Sequence, residues 1–528
     1  MSDDVFKKKT SLDKDLKKIG RLQSATLETR QGLVKVSVGL VFLVAIWIIA
    51  TVGYYDSNFL PTYEHSAFVV AAAIIGGYMA LNIGANDVAN NVGPAVGSKA
   101  ITLFGAMVIA VVFETAGAFI AGGDVVSTIK KGIIDPSAME NAEVFIHAMM
   151  AALLAAALWL NLATWVGAPV STTHSIVGGV LGAGIAATGF AVVNWATMGT
   201  IAASWVISPV LGGVIAALFL AFIKTFIYAR EDKIAAARRW VPLLVAVMTM
   251  AFSVYLVMKG LKQVWKPDVT GIVIIGAAAF ALSLALVRPM VARASQNLEN
   301  RRKAISSLFT VPLIISAALL SFAHGANDVA NAIGPLAAIV DAASSGGIST
   351  KVEIPLWVMA VGAAGIAAGL VLFGPRLIRT VGERITKLDR ARAFCVALSA
   401  AITVIIASGF GLPVSSTHIA IGSVFGIGFY REYLDRRRKK ISAVPILAGG
   451  DPEISREGAD DEMGEGAGAG GGLDAFTDAK RQKKLAKSVR RKLVRRRHLT
   501  TIIAAWIITV PATAALSAAL FGLFTLVL

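Results

Sequence analysis

The sequence predicts an all-helical polytopic membrane protein with about a dozen transmembrane segments, two inverted repeats and broken or re-entrant half-helices. Composition, apolar segments and a pair of duplicated motifs lead to this prediction. Of the 528 residues, 56% are hydrophobic and 16% are charged, and the mean hydropathy is +0.70. A soluble protein carries about 25% charged residues. Soluble enzymes and nucleic-acid-binding domains are therefore excluded, and the single cysteine excludes a disulfide-built secreted domain.

The basic residues give the chain a net charge of +17 and lie in short blocks between apolar runs. This distribution is typical of topology determinants rather than of a nucleic-acid surface. Residues 1–31 form a lysine-rich arm that we expect in the cytoplasm, and Leu33–Val52 follows as the first span. We therefore predict a multi-pass protein of the cell (inner or plasma) membrane with a cytoplasmic N-terminus.

The rest of the chain alternates between apolar stretches and polar linkers. Stretches long enough to cross a hydrocarbon core of about 30 Å lie near 101–121, 145–166, 170–190, 195–223, 241–258, 270–290, 305–323, 354–373, 393–410, 414–430 and 500–528. Shorter, interrupted apolar pieces lie at 66–81, 84–97 and 328–340. After the arm we distinguish a first transmembrane half with repeat 1 (32–230), inter-repeat helices (231–304), repeat 2 (305–430), a flexible cytoplasmic loop (431–499) and a final transmembrane helix (500–528).

The predicted loop 431–499 has an acidic, glycine-rich centre followed by a dense basic run. Such a composition does not bury a core. We interpret it as a tethering linker with a charge block before the last helix. A regulatory or lipid-binding role is the alternative.

Two motifs occur twice, in the same order and at matched spacing. Gly-Ala-Asn-Asp-Val-Ala-Asn stands at Gly84–Asn90 and at Gly325–Asn331, and a Pro-Val-Ser-(Thr/Ser)-Thr-His motif stands at Pro169–His174 and at Pro413–His418. The first copy is entered from a side that lacks lysine and arginine, whereas the second follows a basic block. The two halves are therefore predicted to be inverted, which points to a secondary transporter whose site lies near the midplane.

The first motif has the chemistry of a cation site. Its polar residues are Asn86, Asp87 and Asn90 in one copy and Asn327, Asp328 and Asn331 in the other. Carboxylate and amide oxygens within one helical turn suit a hard cation, and the adjacent glycines allow the backbone to break there. Glu114 lies in the middle of an apolar span, so we expect it to couple a cation or proton rather than to serve only as a structural hydrogen-bond partner.

The second motif has the chemistry of an anion site. A proline followed by hydroxyl residues is typical of a helix N-terminus, which offers free N–H groups to an oxyanion. Two such ends from opposite halves would clamp a tetrahedral oxyanion. His174 and His418 are either proton-sensing groups or residues that orient the neighbouring hydroxyls, and for His324 we favour a local structural role.

The doubled motifs resemble the signatures of the inorganic phosphate transporter (PiT) family, over most of Ala67–Tyr430. The resemblance implies phosphate symport, a phosphate site beside coupling-cation sites, and a homodimer. It implies phosphate contacts from the second motif and the last asparagine of the first: Ser171, Thr172, Thr173, Ser415, Ser416, Thr417, Asn90 and Asn331. It implies cation coupling at Asn86, Asp87, Asn327, Asp328 and Glu114.

We therefore expect a secondary active transporter that imports inorganic phosphate by cation-coupled symport and alternating access, with sodium favoured over a proton. We expect no cofactor besides the coupling ion. A proton-coupled metal–phosphate or sulfate permease of the same fold is the alternative, because the helix before the second Pro-Val-Ser motif carries no acid. An intramembrane Ser–His enzyme is disfavoured because neither motif has an adjacent acid. A channel would not need a coupling ion.

Overall fold

The computed structural model describes residues 32, 34–51, 66–123, 125–126, 132–166, 170–260, 268–345, 354–384, 388–447 and 496–527. The predicted arm 1–31 lies outside the described residues. The described residues are almost entirely helical and include one isolated β-bridge, between Ile134 and Val193.

The longer helices are labelled α1 to α14. In chain order they are α1 (Val34–Thr51), α2 (Ser66–Gly97), α3 (Leu103–Ala121), α4 (Ala142–Val166), α5 (Thr172–Thr188), α6 (Trp195–Ile223), α7 (Lys233–Tyr255), α8 (Val269–Ala294), α9 (Thr310–Asp328), α10 (Ala330–Ser345), α11 (Leu356–Arg384), α12 (Arg390–Gly409), α13 (Ser416–Leu447) and α14 (Arg496–Val527). In the described part of the chain, 11 helical segments are long and apolar enough to cross a membrane. The predicted fold class is confirmed.

The first motif lies in unbroken helix, contrary to the expected interruption. The pieces predicted at 66–81 and 84–97 form the single helix α2. In the second copy, α9 and α10 are separated only at Val329, whose dihedral angles of −56° and −34° are helical. A wider break would leave buried backbone N–H and C=O groups without hydrogen-bond partners.

The predicted loop 431–499 begins later than the sequence division placed it. Helix α13 continues to Leu447, because residues 431–447 lack glycine and the glycine-rich run starts only at Gly449. Residues 448–495 lie outside the described residues.

The second motif lies at the tips of two helical hairpins. Helix α5 has 17 residues, so it is only about 25 Å long, and it packs against α4 as α13 packs against α12. The two tips touch, since the Thr173 hydroxyl donates to the Val414 carbonyl over 3.0 Å. Each tip is therefore the N-terminus of a return helix that begins among buried residues, and of the two only α5 is short, since α13 has 32 residues.

The two repeats are interlocked rather than side by side. Gly84 of α2 packs on the backbone of Ile366 in α11, and Gly325 of α9 packs on the backbone of Glu114 in α3. Helices of different repeats also pair near the tips. There α13 of repeat 2 packs along α6 of repeat 1, and α5 of repeat 1 packs along α14. We infer from this symmetry that α14 is the second repeat's counterpart of α6.

Candidate functional site

The two hairpin tips begin their helices at the centre of the bundle. The Ser171 hydroxyl oxygen accepts from the His174 backbone N–H at 3.1 Å, and the Ser415 hydroxyl oxygen accepts from the His418 backbone N–H at 3.2 Å. Both serines are therefore N-caps, as the Pro-Val-Ser sequence predicts. The positive ends of two helices face each other here.

Each Asn-Asp motif contacts the tip of the opposite repeat. The Asn90 amide donates to the Thr417 hydroxyl over 2.8 Å. In the matching contact, the Asn331 amide lies 3.2 Å from the Thr172 hydroxyl and 3.3 Å from that of Thr173. A ligand held by one motif is thus within reach of both halves.

The two aspartates accept hydroxyl hydrogen bonds from the second tip. Thr417 donates to Asp87 over 2.7 Å, and Ser416 donates to Asp328 over 2.9 Å. The Asn327 amide also donates to Asp328, over 2.6 Å. Hydroxyl donors, amides and carboxylates therefore form one connected cluster.

The remaining asparagine of each motif bonds to the first helix of a hairpin, which is α4 for Asn86 and α12 for Asn327. The Asn86 amide donates to Thr164 over 3.0 Å, and Ser408 donates to Asn327 over 3.2 Å. Thr164 and Ser408 occupy matching places, each five residues before the proline of its own tip. These hydroxyls fix the asparagine side chains toward the cluster.

His324 lies between three carboxylates. Its Nε2 atom is 2.8 Å from Asp328 Oδ2 and 3.9 Å from Asp87 Oδ2, and its Nδ1 atom is 3.3 Å from Glu114 Oε1. Glu114 Oε1 also accepts from the Asn91 amide at 2.8 Å. The imidazole thus connects the two symmetric aspartates to the single intramembrane glutamate.

The cluster is buried and rich in oxygen atoms that receive no hydrogen bond. The side chains of Asn86, Asp87, Glu114 and Asn331 are each no more than 4% exposed. One oxygen of each lacks a hydrogen-bond donor: Asn86 Oδ1, Asp87 Oδ2, Glu114 Oε2 and Asn331 Oδ1. Buried acceptors without donors are costly unless a cation satisfies them, and carboxylate and amide oxygens are the ligands of hard cations.

Histidine and tryptophan rings line the junction of the tips. The rings of His174 and His418 meet edge to face, with centroids 4.4 Å apart. Trp205 packs on His174 at 3.8 Å, and Trp506 stacks on His418 at 3.6 Å. Trp205 belongs to α6 and Trp506 to α14, so each tryptophan packs on the histidine of its own repeat, whereas the helices at the tips pack across the repeats.

The model of the family described as "Phosphate transporter family" matches residues 83–517 of the chain. This range includes both copies of both motifs and extends into α14. The chain belongs to the phosphate transporter family.

Similar proteins cover from about two thirds to nearly all of the chain. A Helicobacter pylori protein (strain J99) is 46% identical over 96% of this chain and 98% of its own length. One from Thermococcus kodakarensis is 40% identical over 69% of this chain and 89% of its own length. Both carry the name "Putative phosphate permease". A solved structure titled "The sodium-dependent phosphate transporter" matches with a TM-score of 0.72 and 33% identity, over 88% of this chain and 100% of that one.

Every site residue predicted from the sequence lies in this buried region of the phosphate transporter. The hydroxyl, amide and carboxylate groups named above form the connected cluster, and Glu114 joins it through His324. The helical N-terminal role of Ser171 and Ser415 is visible directly.

Sequence reasoning missed the central position of His324. It also missed Asn91, Thr164 and Ser408. The signal for His324 was present, since the second motif copy is preceded by histidine where the first is preceded by Ile83. Three carboxylates around one imidazole depend on helices that only the fold brings together.

Proposed function

We propose that this transporter imports inorganic phosphate together with a coupling cation, sodium in preference to a proton, by alternating access. One observation carries the proposal: the Asn-Asp motif of each repeat contacts the hydroxyl tip of the other. Membership of the phosphate transporter family supports phosphate as the substrate, and the solved sodium-dependent relative supports sodium.

The phosphate would lie between the tips. The helix N-termini at Ser171 and Ser415 and the hydroxyls of Thr172, Thr173, Ser416 and Thr417 are the donors that an oxyanion requires. Asn90 and Asn331 would complete its contacts from the two motif helices. Since Thr417 donates to Asp87 and Ser416 donates to Asp328 in the structure, binding of the anion would exchange those two bonds for bonds to phosphate.

The coupling cation would lie on the carboxylate side of the cluster. Asn86, Asp87, Asn327 and Asp328 offer oxygens from both repeats, and Glu114 adds a third carboxylate. A cation there offsets the repulsion between phosphate and the aspartates, because opposite charges attract strongly away from water. Neither ligand would bind well alone, which is the physical basis of coupled transport.

A second candidate is transport of a metal–phosphate complex. Ligand atoms of Asp87, His324 and Asp328 lie within 4.8 Å of one another, a set that fits a divalent metal ion. Histidine is a typical ligand of zinc, copper, iron and nickel, whereas hard cations take oxygen ligands.

Uptake in proteoliposomes separates these possibilities. Purified transporter is given radiolabelled phosphate under an inward sodium gradient or a proton gradient of equal size, each with and without excess sulfate. A further sample receives a divalent metal ion without sodium. Accumulation above equilibrium with sodium alone supports the proposal. Accumulation with a proton gradient only, with a divalent metal only, or abolished by sulfate contradicts it in favour of the corresponding alternative.

We further propose a cytoplasmic N-terminus in the plasma membrane and a homodimeric assembly. The basic arm 1–31 and the basic linkers support this orientation. Accessibility of a cysteine introduced near the N-terminus to a membrane-impermeant thiol reagent tests it, with the buried Cys395 as the unreactive background. Labelling from outside intact cells would contradict it, and light scattering of the purified protein tests the dimer.

A further inference from the structure

Helices α7 and α8 carry a cluster of exposed arginines at one end. Arg238 and Arg239 lie near the start of α7, and Arg293 lies in the last turn of α8. The Arg238 Nε atom donates to the Ser295 hydroxyl over 2.6 Å, which brings the two helix ends together. We call Arg238, Arg239 and Arg293 the arginine collar.

The arginine collar lacks acidic partners within the described residues. The nearby carboxylates are otherwise used, because Asp232 caps α7 at the Ala235 N–H and Glu299 pairs with Arg301 at 3.3 Å. No described ion pair includes an arginine of the collar. Three guanidinium groups therefore present a concentrated positive charge that no described carboxylate pairs with.

Below the collar, the surface is apolar and exposed. Leu282, Leu286 and Met290 are spaced by one helical turn on α8 and are 63%, 58% and 51% exposed. This stripe ends three residues before Arg293, so the stripe and the guanidinium group share one helix face. This surface is positively charged at one end and apolar along the helix, so it is complementary to a lipid with an anionic head group and a hydrocarbon tail.

Aromatic packing places the collar at the level of lipid headgroups. The Arg239 guanidinium lies 5.4 Å from the ring centre of Trp240, which packs against Phe222 and Phe226 at 5.1 Å. Tryptophan is enriched where hydrocarbon meets headgroups. The charged ends of α7 and α8 are thus positioned to meet lipid phosphates.

We propose that the arginine collar and the stripe Leu282–Met290 bind an anionic phospholipid. Its phosphate would contact Arg239 and Arg293, and an acyl chain would lie along the stripe. A second copy of the chain fits this surface less well. Parallel α8 helices about a two-fold axis would bring both Arg293 side chains to the same level, where like charges repel.

Lipid retention tests the proposal without reference to transport. The full chain is purified, exchanged into mixtures of phosphatidylglycerol and phosphatidylcholine, and examined by native mass spectrometry and thermal unfolding. We expect preferential retention of phosphatidylglycerol, with weaker retention at high salt. Equal retention of the two lipids overturns the proposal, as does equal stabilisation by inorganic phosphate in phosphatidylcholine alone, which would indicate a free-phosphate site.

A double variant locates the site. Arg239→Gln with Arg293→Gln should weaken retention of phosphatidylglycerol about 30-fold, since each basic residue at an anionic surface contributes roughly fivefold. The matched control is Lys99→Gln with Arg301→Gln, two exposed basic residues outside the collar, which should leave retention unchanged. An equal loss in both double variants overturns the proposal. A changed oligomeric state with unchanged lipid retention does so too, and would assign the surface to a second copy.

Discussion

The contact of α3 with α9 and the contact of α2 with α11 are built alike but differ in chemistry. In both, a glycine of the first motif packs on the backbone of the partner helix, and a glycine of the partner helix packs back one turn earlier. The pairs are Gly325 with Glu114 and Gly117 with Phe322 in the first contact, and Gly84 with Ile366 and Gly369 with Leu81 in the second. Ile366 therefore occupies the place of Glu114.

The polar residues around Glu114 have apolar counterparts throughout. His324 and Asn91 of the first contact correspond to Ile83 and Ala332 of the second, and all four are buried. The duplicated sequence thus kept the backbone packing, since a side chain in place of either motif glycine would strike the opposite backbone. It did not keep the charges. One contact holds an acid and an imidazole, while the other holds apolar side chains at the matching positions.

The first prediction removes the aspartate that the Asn-Asp motifs of both repeats share. Asp328→Asn removes the carboxylate that meets both His324 and Ser416. Uptake of phosphate in proteoliposomes should fall about 1,000-fold, since removing one partner of a buried charge pair costs about 4 kcal/mol. Asp87→Asn should act alike. Asp135→Asn, at an exposed N-cap, is the control. Normal uptake by both site variants would contradict the assignment of the motif.

The second prediction breaks the polar contact alone. Glu114→Gln keeps an acceptor for Asn91 but removes the charge that faces His324. Sodium-driven uptake should fall about 100-fold, because a buried charge-assisted hydrogen bond contributes up to about 3 kcal/mol. Ile366→Val, at the matching position, should leave the rate unchanged. Equal effects of the two variants would show that the asymmetry has no role in coupling.

The third prediction separates packing from chemistry. Gly84→Ala and Gly325→Ala should lower the free energy of unfolding by similar amounts, about 2 kcal/mol each, because both insert a methyl group against backbone. Only Gly325→Ala should also weaken the apparent sodium affinity, since it displaces Glu114. Thermal unfolding and sodium titration of uptake measure the two effects. Gly199→Ala, where a Cβ meets no other atom, is the control. A matching loss of sodium affinity in both variants would contradict the prediction.

The fourth prediction concerns the tips, where the halves are alike. Ser171→Ala and Ser415→Ala each remove an N-cap, so the half-saturating phosphate concentration should rise about fivefold, as expected for a loss of about 1 kcal/mol. Thr102→Ala removes the N-cap of α3 away from the site and should leave that concentration unchanged. An unchanged value in both serine variants would count against the clamp between the tips.

The sequence predicts most of this fold because its evidence is local or repeated. Apolar length alone indicates the spans, and the doubled Pro-Val-Ser motif indicates two helix N-termini that the structure places tip to tip. Helix α13 extends further than the sequence division placed it. The family follows from the paired motifs before any coordinates are considered.

Contacts between distant segments are what the sequence alone does not supply. His324 lies one turn before Asp328, a spacing that could be noted in advance, yet its contact with Glu114 requires α3 to pack against α9. The correspondence of Glu114 with Ile366 is equally hidden. Outside the motifs, the sequences of repeat 1 and repeat 2 differ too much to show which helices correspond.

The interlocking of the repeats has a consequence for how the chain is made. Gly178 of α5 packs against Val510 of α14, so the surface of an early hairpin is covered by a helix translated more than 300 residues later. Contacts so distant in sequence form slowly. The first hairpin must therefore remain in the membrane, with the small residues on this surface of α5 not yet packed against α14, during much of synthesis. The packing around α5 is completed when α14 inserts, not when the first repeat has been synthesised.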